Sequence, residues 1–316
     1  MMKILIIGNI YFGLPDVLRN SDSVKVIPFI KKTNLFKRLF KGLCIRLKLK
    51  QQLNYYTIDE CACAAKDFDA VILFDGAPDA VLSHYMSSIE QNVDLTSTKL
   101  FLYFWNSRQT LKNLTISEHW NPATFDKLDA VRFSLKYVGG FYNAADPPLI
   151  HEADDAEVFF VGRDKGRFKY IRSLEQQMND NGISTKFVYV DPVRGLFFKK
   201  NSPYIPYSLI VRHIKRCKAI LDITNDYQYG LSLRFYEGLF YNRKIITNHS
   251  RIKEYKFYDS NRIFVLTEDT TPSQIANFLK SEITQASEEI LEAYSCEAWL
   301  DRMLLSDHTF NDTIRS

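Results

Sequence analysis

The sequence predicts an α/β protein built from two similar halves, each a parallel β-sheet covered by helices. The chain has 316 residues, about twice the usual size of a single domain. Short, almost continuously apolar runs alternate with stretches long enough for helices, which is typical of strands buried on both faces of a parallel sheet. The pattern starts again after residues 143–156, NAADPPLIHEADDA. This acidic segment contains two prolines and lacks apolar periodicity, so we interpret it as a linker.

The composition indicates a globular protein without a transmembrane segment. Apolar residues make up 46% of the chain and charged residues 25%. No apolar run approaches the roughly 18 to 20 residues that span a bilayer, and the first run lacks the basic head and cleavage site of a signal peptide. The five cysteines are scattered and lack the spacing of a zinc site. We therefore expect reduced thiols and a cytoplasmic protein.

In the first half, four apolar runs are the predicted strands. They are KILIIGN at 3–9, AVILFDG at 70–76, KLFLYFWN at 99–106 and DAVRFSL at 129–135. Gly8 and Gly13 flank the turn after the first run, and with Asn9 they form a turn through which a ligand can approach the backbone. A tight turn without a ligand explains the same residues.

The basic segment at 31–50, KKTNLFKRLFKGLCIRLKLK, has eight Lys or Arg residues and no acid. Its spacing predicts an amphipathic helix with Lys37, Arg38 and Lys41 on the polar face. Two interpretations stay open. The helix either packs its apolar face on the sheet, or it forms an acceptor-binding or membrane-binding face on the inner side of the cytoplasmic membrane. A sequence pI near 8.6 is below that of a dedicated nucleic-acid binder, so we expect no nucleic-acid partner.

In the second half, the elements follow in the order strand, helix, strand, helix, strand, helix, strand, strand, helix, helix. The predicted strands are FFVG within 157–163, KFVYV at 186–190, AILDI at 219–223, IITN at 245–248 and IFVL at 263–266. The predicted helices cover 168–179, 207–215, the stretch after residue 230, the stretch after Thr271-Pro272, and 287–303. Thr271 before Pro272 suits an N-cap followed by a first-turn proline.

The segment after AILDI has the order of parts that a nucleotide-sugar site needs. The strand ends in polar residues that include Thr224, and Gly230 and Ser232 begin a helix whose N-terminal amides can receive a phosphate. Glu237 lies on the same helix face as Arg234, and a carboxylate there can accept hydrogen bonds from both ribose hydroxyls. The alternative is an ordinary surface pair between Arg234 and Glu237.

A basic turn follows the strand FFVG. Gly162 ends this strand, and Arg163, Lys165 and Arg167 crowd the turn before the next helix. A glycine-permitted turn with exposed N–H groups and several cations suits a diphosphate. A solvated basic turn is the alternative, since neither a Walker loop nor the dinucleotide fingerprint is present. The missing fingerprint also disfavours a two-domain oxidoreductase.

The first half supplies the candidates for the acceptor side. A base near an acceptor hydroxyl is expected to be a carboxylate or His. Asp75, just after the strand AVILF, is the first choice, ahead of Asp79 and His84; its alternative role is to bond the turn backbone beside Gly76. Trp105 and Asn106 follow the strand FLYF, where Trp105 either stacks on a sugar ring or fills the core.

Four segments carry a resemblance to a known family. The run GLSLRFYEGLFYNRKIITN at 230–248 and KEYKFYDSNRIFVL at 253–266 resemble the donor-binding half of bacterial glycosyltransferases of lipopolysaccharide and surface-polysaccharide biosynthesis. FLYFWNS at 101–107 and FFVGRDKGR at 159–167 are similar to other segments of that group. These enzymes have the GT-B architecture of two facing Rossmann-like domains with a central cleft.

The resemblance implies an acceptor-binding domain at 1–150 and a donor-binding domain at 151–316, with the last helix packing back on the first domain. It implies sugar transfer from a nucleotide-diphosphate sugar onto a lipid-linked or lipopolysaccharide glycan, without a metal or cofactor. Glu237 would hold the donor ribose, while Ser232 and Arg234, with Arg163 or Arg167, would neutralise the diphosphate. A non-catalytic nucleotide-sugar-binding or assembly partner of the same fold remains the alternative.

Overall fold

The chain forms two compact units. The computed structural model describes residues 2–8, 22–31, 50–108, 111, 113–144, 155–191, 205–225, 229–305 and 310–313. Unit 1 is Met1–Gly140 with Leu300–Thr309, and unit 2 is Phe141–Trp299 with Phe310–Ser316. The last long helix therefore contributes residues to both units. The linker proposed around residue 150 falls mostly in 145–154, outside the described residues.

Unit 1 contains a six-stranded parallel sheet. Its strands are β1 (Ile4–Ile7), β2 (Val24–Ile27), β3 (Ala70–Phe74), β4 (Lys99–Phe104), β5 (Trp120–Thr124) and β6 (Lys136–Tyr137), in the order β2-β1-β3-β4-β5-β6. Three of the four predicted runs are strands, and β1, β3 and most of β4 are buried. This confirms the parallel α/β arrangement of the first half.

The fourth predicted strand, DAVRFSL, is wrong. The helices of unit 1 are α1 (Ile58–Ala65), α2 (Asp79–Glu90) and α3 (Lys127–Phe133), with a 3-10 helix at Lys50–Tyr55. Helix α3 covers most of the DAVRFSL run because Asp126 caps it, accepting hydrogen bonds from the backbone N–H groups of Leu128 and Asp129. Val131 in this helix is 82% exposed, so the apolar run does not mark a buried strand.

Sequence patterning missed three strands of unit 1. β5 has the sequence WNPAT, and a central proline and asparagine ordinarily argue against a strand. Its register beside β4 is nevertheless regular, and the Asn121 side chain donates to the Leu100 carbonyl at 3.0 Å. β2 is four residues long and β6 is two, so neither is long enough for a strand pattern of apolar residues to be recognised.

Unit 2 contains a five-stranded parallel sheet. Its strands are β7 (Ala156–Arg163), β8 (Thr185–Val190), β9 (Cys217–Asp222), β10 (Lys244–Thr247) and β11 (Ile263–Val265), in the order β11-β10-β9-β7-β8. The helices are α4 (Phe168–Asp180), α5 (Tyr207–Lys215), α6 (Leu233–Phe240), α7 (Pro272–Lys280), α8 (Glu288–Ala293) and α9 (Cys296–Leu304), with a 3-10 helix at Ser250–Glu254. Every strand predicted for this half is present.

The two sheets share one strand order. In each, the first strand along the chain lies between the second and the third: β1 lies between β2 and β3, and β7 lies between β8 and β9. The direction in which strands are added therefore reverses beside β1 and beside β7. In open α/β sheets, ligands bind outside the carboxyl ends of the strands at such a switch point.

Local signals fix the helix ends of unit 2. Thr271 and Gln274 form a capping box at α7, with Pro272 in the first turn as predicted. Asn242 ends α6 in the left-handed region with φ 49°, which Asn tolerates better than most residues. Ser287 caps α8, but the predicted last helix is two helices, because α8 ends before Tyr294.

Within the described ranges, none of the helices is long and apolar enough to cross a membrane. Lys37, Arg38 and Lys41 of the basic segment, together with Asn9 and Gly13, lie outside the described residues. The interpretations of these residues stay predictions.

Candidate functional site

The carboxyl ends of β7 and β9 meet at the switch point of the unit 2 sheet. Strand β7 ends at Arg163 and β9 at Asp222. The Arg167 guanidinium, from the turn after β7, donates to the carbonyl oxygen of Ile223, directly after β9. The two loops predicted separately from the sequence are therefore joined at one edge of one sheet.

Gly162 lies at the end of β7, as predicted. A Cβ there would come within 3.0 Å of the Phe160 ring and 3.3 Å of the Arg167 guanidinium. The left-handed residues are Lys165, with φ 47°, and Gly166, with φ 85°. Gly166 is thus the glycine that the turn requires, and Gly162 is required for close packing.

Three cations surround this turn. Arg163 and Lys165 are exposed, and Arg167 is half-buried. Although Lys165 reaches solvent, partial burial and then the positive charges of Arg167 and Arg163 lower its pKa. The contribution of Arg167 and Arg163 to this lowering means that the three cations lie close enough to repel one another.

Helix α6 begins at the same edge of the sheet. The Ser232 hydroxyl caps it by accepting a hydrogen bond from the Arg234 N–H at 3.1 Å, and it donates to Asp222 at 2.8 Å. Asp222 is buried, and burial raises its pKa although the Ser232 hydrogen bond and the nearby Arg167 charge oppose this. Ser232 therefore links the end of β9 to the start of α6.

Glu237 lies at the centre of a buried polar chain. Its carboxylate accepts a hydrogen bond from the Tyr207 hydroxyl at 2.9 Å and contacts the Arg234 guanidinium at 2.5 Å. The Tyr142 and Tyr207 hydroxyls are 2.7 Å apart. Burial raises the pKa of Glu237 to about 7, opposed by Arg234 and Tyr207.

The pairing of Arg234 with Glu237 is as predicted, but the surface-pair interpretation is wrong because the Glu237 side chain is 0% exposed. The role of Glu237 as a ribose ligand stays a prediction. Since its carboxylate has no exposed surface, a ribose would reach it only after a neighbouring side chain moves. Gly238 allows α6 to pack closely on β10, since a Cβ there would lie 2.6 Å from the Ile245 side chain.

Thr224 and Asn248 join the carboxyl ends of β9 and β10. The Asn248 side-chain oxygen accepts from the Thr224 N–H at 2.8 Å, and its side-chain nitrogen donates to the Thr224 carbonyl at 3.1 Å. Asn248 also lines a cavity of about 360 Å³ with Tyr170, Leu266 and Thr267. This volume lies within the range of small-molecule sites.

In unit 1, Asp75 connects the ends of β3 and β4. Its carboxylate accepts hydrogen bonds from the N–H of Trp105 at 3.0 Å, from the N–H of Asn106 at 2.9 Å and from the Asn106 side chain at 3.2 Å. Burial raises the pKa of Asp75 to about 7 against these hydrogen bonds. The side chain bonds the turn after β4, and its role as a base stays a prediction.

The other acceptor-side candidates differ in their exposure to solvent. Trp105 is half-buried and contacts the rings of Phe74 and Tyr103, as its core interpretation predicts. Asn106 is exposed apart from its bonds to Asp75. Gly8 is buried, and a Cβ there would lie 3.1 Å from Phe74, so a close approach to β3 explains this glycine without a ligand.

Sequence reasoning did not select Tyr142, Tyr207, Asp222, Gly166 or Asn248 as site residues. Asp222 carried a signal, because it is the last residue of a buried strand at the edge where ligands bind. The two tyrosines carried none, since Tyr142 is far from Glu237 along the chain. In the described ranges, no group of three or more His, Cys, Asp or Glu residues is arranged to hold a metal ion.

Comparisons with known proteins relate the chain to solved structures alone. No family model matches it, and no curated protein matches it. An alpha-glucosyltransferase in complex with UDP-glucose and DNA containing an abasic site is 10% identical, with a TM-score of 0.58 over 96% of this chain and 93% of that chain. The same kind of enzyme with UDP and a 13-mer DNA containing a HMU base is 13% identical, with a TM-score of 0.55 over 96% and 92%. These likenesses establish the two-domain GT-B fold.

One expectation from the sequence needs correction. Nucleic acid was excluded as a partner because of the modest pI, yet alpha-glucosyltransferases with this fold are bound to DNA in the solved structures. The exclusion is wrong because a whole-chain charge balance averages over both domains. It cannot report a local basic face that contacts a phosphate backbone.

The pKa of Glu237 generates a prediction about stability. Its pKa rises from 4.5 to about 7 on folding, so the folded state keeps a proton that the unfolded state releases between these values. The free energy of unfolding should therefore fall as the pH rises from 4.5 to 7. In Glu237→Gln this fall should be smaller by roughly 2–3 kcal/mol, measured by urea denaturation at several pH values.

Glu175→Gln is the matched control, because Glu175 also accepts a hydrogen bond from a tyrosine, Tyr189, at 2.7 Å but is only partly buried. It should keep the wild-type pH dependence. An equal pH dependence in wild type and Glu237→Gln would show that folding does not raise the pKa of Glu237.

Proposed function

We propose that this chain is a glycosyltransferase that moves a sugar from a nucleotide-diphosphate donor to an acceptor. The observation that carries the proposal is the pairing of two phosphate-binding features at the switch point of unit 2. One is the basic turn with left-handed Lys165 and Gly166, and the other is the N-terminus of α6. The Arg167 bond to Ile223 and the Ser232 bond to Asp222 hold both at the ends of β7 and β9.

This pairing suits the chemistry of the leaving group. A departing nucleoside diphosphate develops negative charge, and cations and amide dipoles held in advance stabilise it in the transition state. Arg163 and Lys165 supply exposed positive charge, and the first turn of α6 supplies N–H groups and the positive end of the helix dipole. In the proposal Glu237 binds the donor ribose, and the cavity beside Asn248 takes part of the nucleoside.

For the acceptor, we propose a lipopolysaccharide core or a related bacterial surface glycan. The segments 230–248 and 253–266, which resemble enzymes of that pathway, support this choice. The basic segment at 31–50 supports an association with an anionic membrane surface. Nucleic acid is the second candidate acceptor, favoured by the DNA bound to the alpha-glucosyltransferases of the same fold.

Transfer without a metal ion is part of the proposal. The basic turn and the helix N-terminus are offered in place of a divalent cation at the diphosphate. Undiminished transfer after treatment with a chelator would support this point, and loss of transfer with recovery on adding a divalent cation would refute it. A non-catalytic partner of the same fold would bind the donor without transferring or hydrolysing it.

The donor assignment predicts that Arg163→Gln/Lys165→Gln weakens nucleotide-sugar binding by roughly tenfold to hundredfold. Each lost charge-assisted contact costs about 1.5–3 kcal/mol. Because both side chains are exposed, solvent screening reduces this cost. The donor is first selected by a thermal-shift screen of nucleotide sugars, and its affinity is then measured by calorimetry.

The matched control is Lys186→Gln/Lys280→Gln, which removes two exposed charges of unit 2 away from the switch point. Lys186 is near the start of β8, and Lys280 is the last residue of α7. The control should bind like wild type. If both double variants lose affinity equally, the effect is general electrostatics and the turn is not the diphosphate site.

The base assignment predicts that Asp75→Asn lowers the transfer rate by roughly a hundredfold, the typical contribution of a general base, without changing donor affinity. The wild-type rate should rise with pH through about 7, because burial raises the pKa of Asp75 to about 7 and only the carboxylate accepts a proton.

Asp129→Asn is the control for this variant. Asp129 is also a buried aspartate of unit 1 and accepts the Arg108 N–H at 2.6 Å. It should retain the wild-type rate at every pH. If Asp75→Asn retains the rate as well, Asp75 is a structural residue that holds the turn after β4, and the base lies elsewhere.

A further inference from the structure

A second cavity lies at the opposite end of the unit 2 sheet. It has a volume of about 550 Å³ and is lined by residues that include Lys218, Arg243 and Lys244. Lys218 is the second residue of β9 and Lys244 the first of β10, whereas the candidate donor site lies where these strands end. The two sites are therefore separate, and the inference below does not depend on the proposed function.

The lining of this cavity is strongly basic. Lys215, Lys218, Arg243 and Lys244 line it, and none of the described residues that line it is acidic. The Lys218 ammonium pairs with Glu157 at 2.9 Å. Arg243 donates to the Lys215 carbonyl at 2.6 Å, and Lys244 donates to the Ser281 carbonyl at 2.6 Å. Glu157 offsets the charge of Lys218, whereas the two carbonyl acceptors are neutral, so the cavity keeps an excess of positive charge.

Two buried polar atoms of the lining have no hydrogen-bond partner within the described part of the chain. They are the Nε of Arg243, whose residue is 8% exposed, and the side-chain oxygen of Asn242. A buried donor without an acceptor costs about 1–3 kcal/mol and more when it is charged. Such groups are rare in folded proteins. Both atoms have almost no exposed surface, so an acceptor oxygen of a ligand would reach the Arg243 Nε only after a neighbouring side chain moves.

Apolar side chains form another part of the lining, beside the polar Asn242, Ser281 and Gln285. The apolar side chains are Leu239, Phe240, Leu279, Ile283 and Leu291. A wall of this kind buries a hydrophobic group, while the cations bind a charged one. The cavity therefore fits an anion that carries an apolar substituent.

We propose that this cavity binds a phosphate monoester with an apolar substituent. The excess positive charge of the lining favours a phosphate over a carboxylate, because a phosphate monoester carries about −1.5 to −2 charge at neutral pH and three acceptor oxygens. The planar guanidinium of Arg243 matches a phosphate, and the lysines act as point charges beside it.

The test uses three probes on the full chain, measured by calorimetry: phenyl phosphate, inorganic phosphate and benzoate. Phenyl phosphate should bind more tightly than the other two. Lys215→Gln/Lys218→Gln should weaken its binding at least tenfold. Ala286→Phe should do the same by filling the cavity while keeping every cation, and it decides the question if the double variant does not fold.

One control separates this cavity from other basic surfaces. Lys169→Gln/Lys186→Gln removes two exposed charges of unit 2 that do not line the cavity. It should bind phenyl phosphate like wild type. The proposal is overturned if phenyl phosphate does not bind, if Ala286→Phe binds it unchanged, if either other probe binds as tightly, or if the control variant loses binding.

Discussion

The hydrogen bond from the Ser232 hydroxyl to Asp222 joins the end of β9 to the start of α6, and the candidate donor site is built around this junction. The same hydroxyl accepts the Arg234 N–H, so one side chain caps the helix and fixes its distance from the sheet edge. The Arg167 bond to Ile223 brings the basic turn to this edge. Without the junction, the helix N-terminus and the basic turn would be two unrelated surface features.

The polar chain beyond this junction is buried, and this burial determines its electrostatic properties. Glu237 is enclosed with Arg234, Tyr207 and Tyr142, and a buried ion pair is costly unless further hydrogen bonds support it. The Tyr207 hydroxyl provides one such bond. A group whose pKa lies near 7 in a protein interior is a functional-site candidate on physical grounds, and here it lies one helical turn from the capped N-terminus.

Much of unit 2 could be predicted from the sequence because its strands are continuous apolar runs and its helices have clear ends. The bounds of α5 and the Thr271 cap follow directly from local patterns. β5 could not be predicted, since Pro122 contradicts strand propensity and only pairing with β4 overrides it.

At the site, too, the features that could not be predicted depend on tertiary contacts. The Arg234 and Glu237 pair was predictable because residues three apart share a helix face. Its burial was not, because Tyr142 and Tyr207 reach it through tertiary contacts that no local pattern encodes. Gly166 was not singled out for a similar reason: the sequence does not say which glycine of a short segment needs a positive φ and which needs space.

The most direct measurement is a crystal structure of the protein grown with uridine diphosphate. The account predicts that both phosphates lie between the Lys165-Gly166 turn and the N-terminal amides of α6, in contact with Arg163 or Arg167. Phosphates found elsewhere, for example beside Lys218 and Arg243 at the other end of the sheet, would contradict the assignment of the switch point as the donor site.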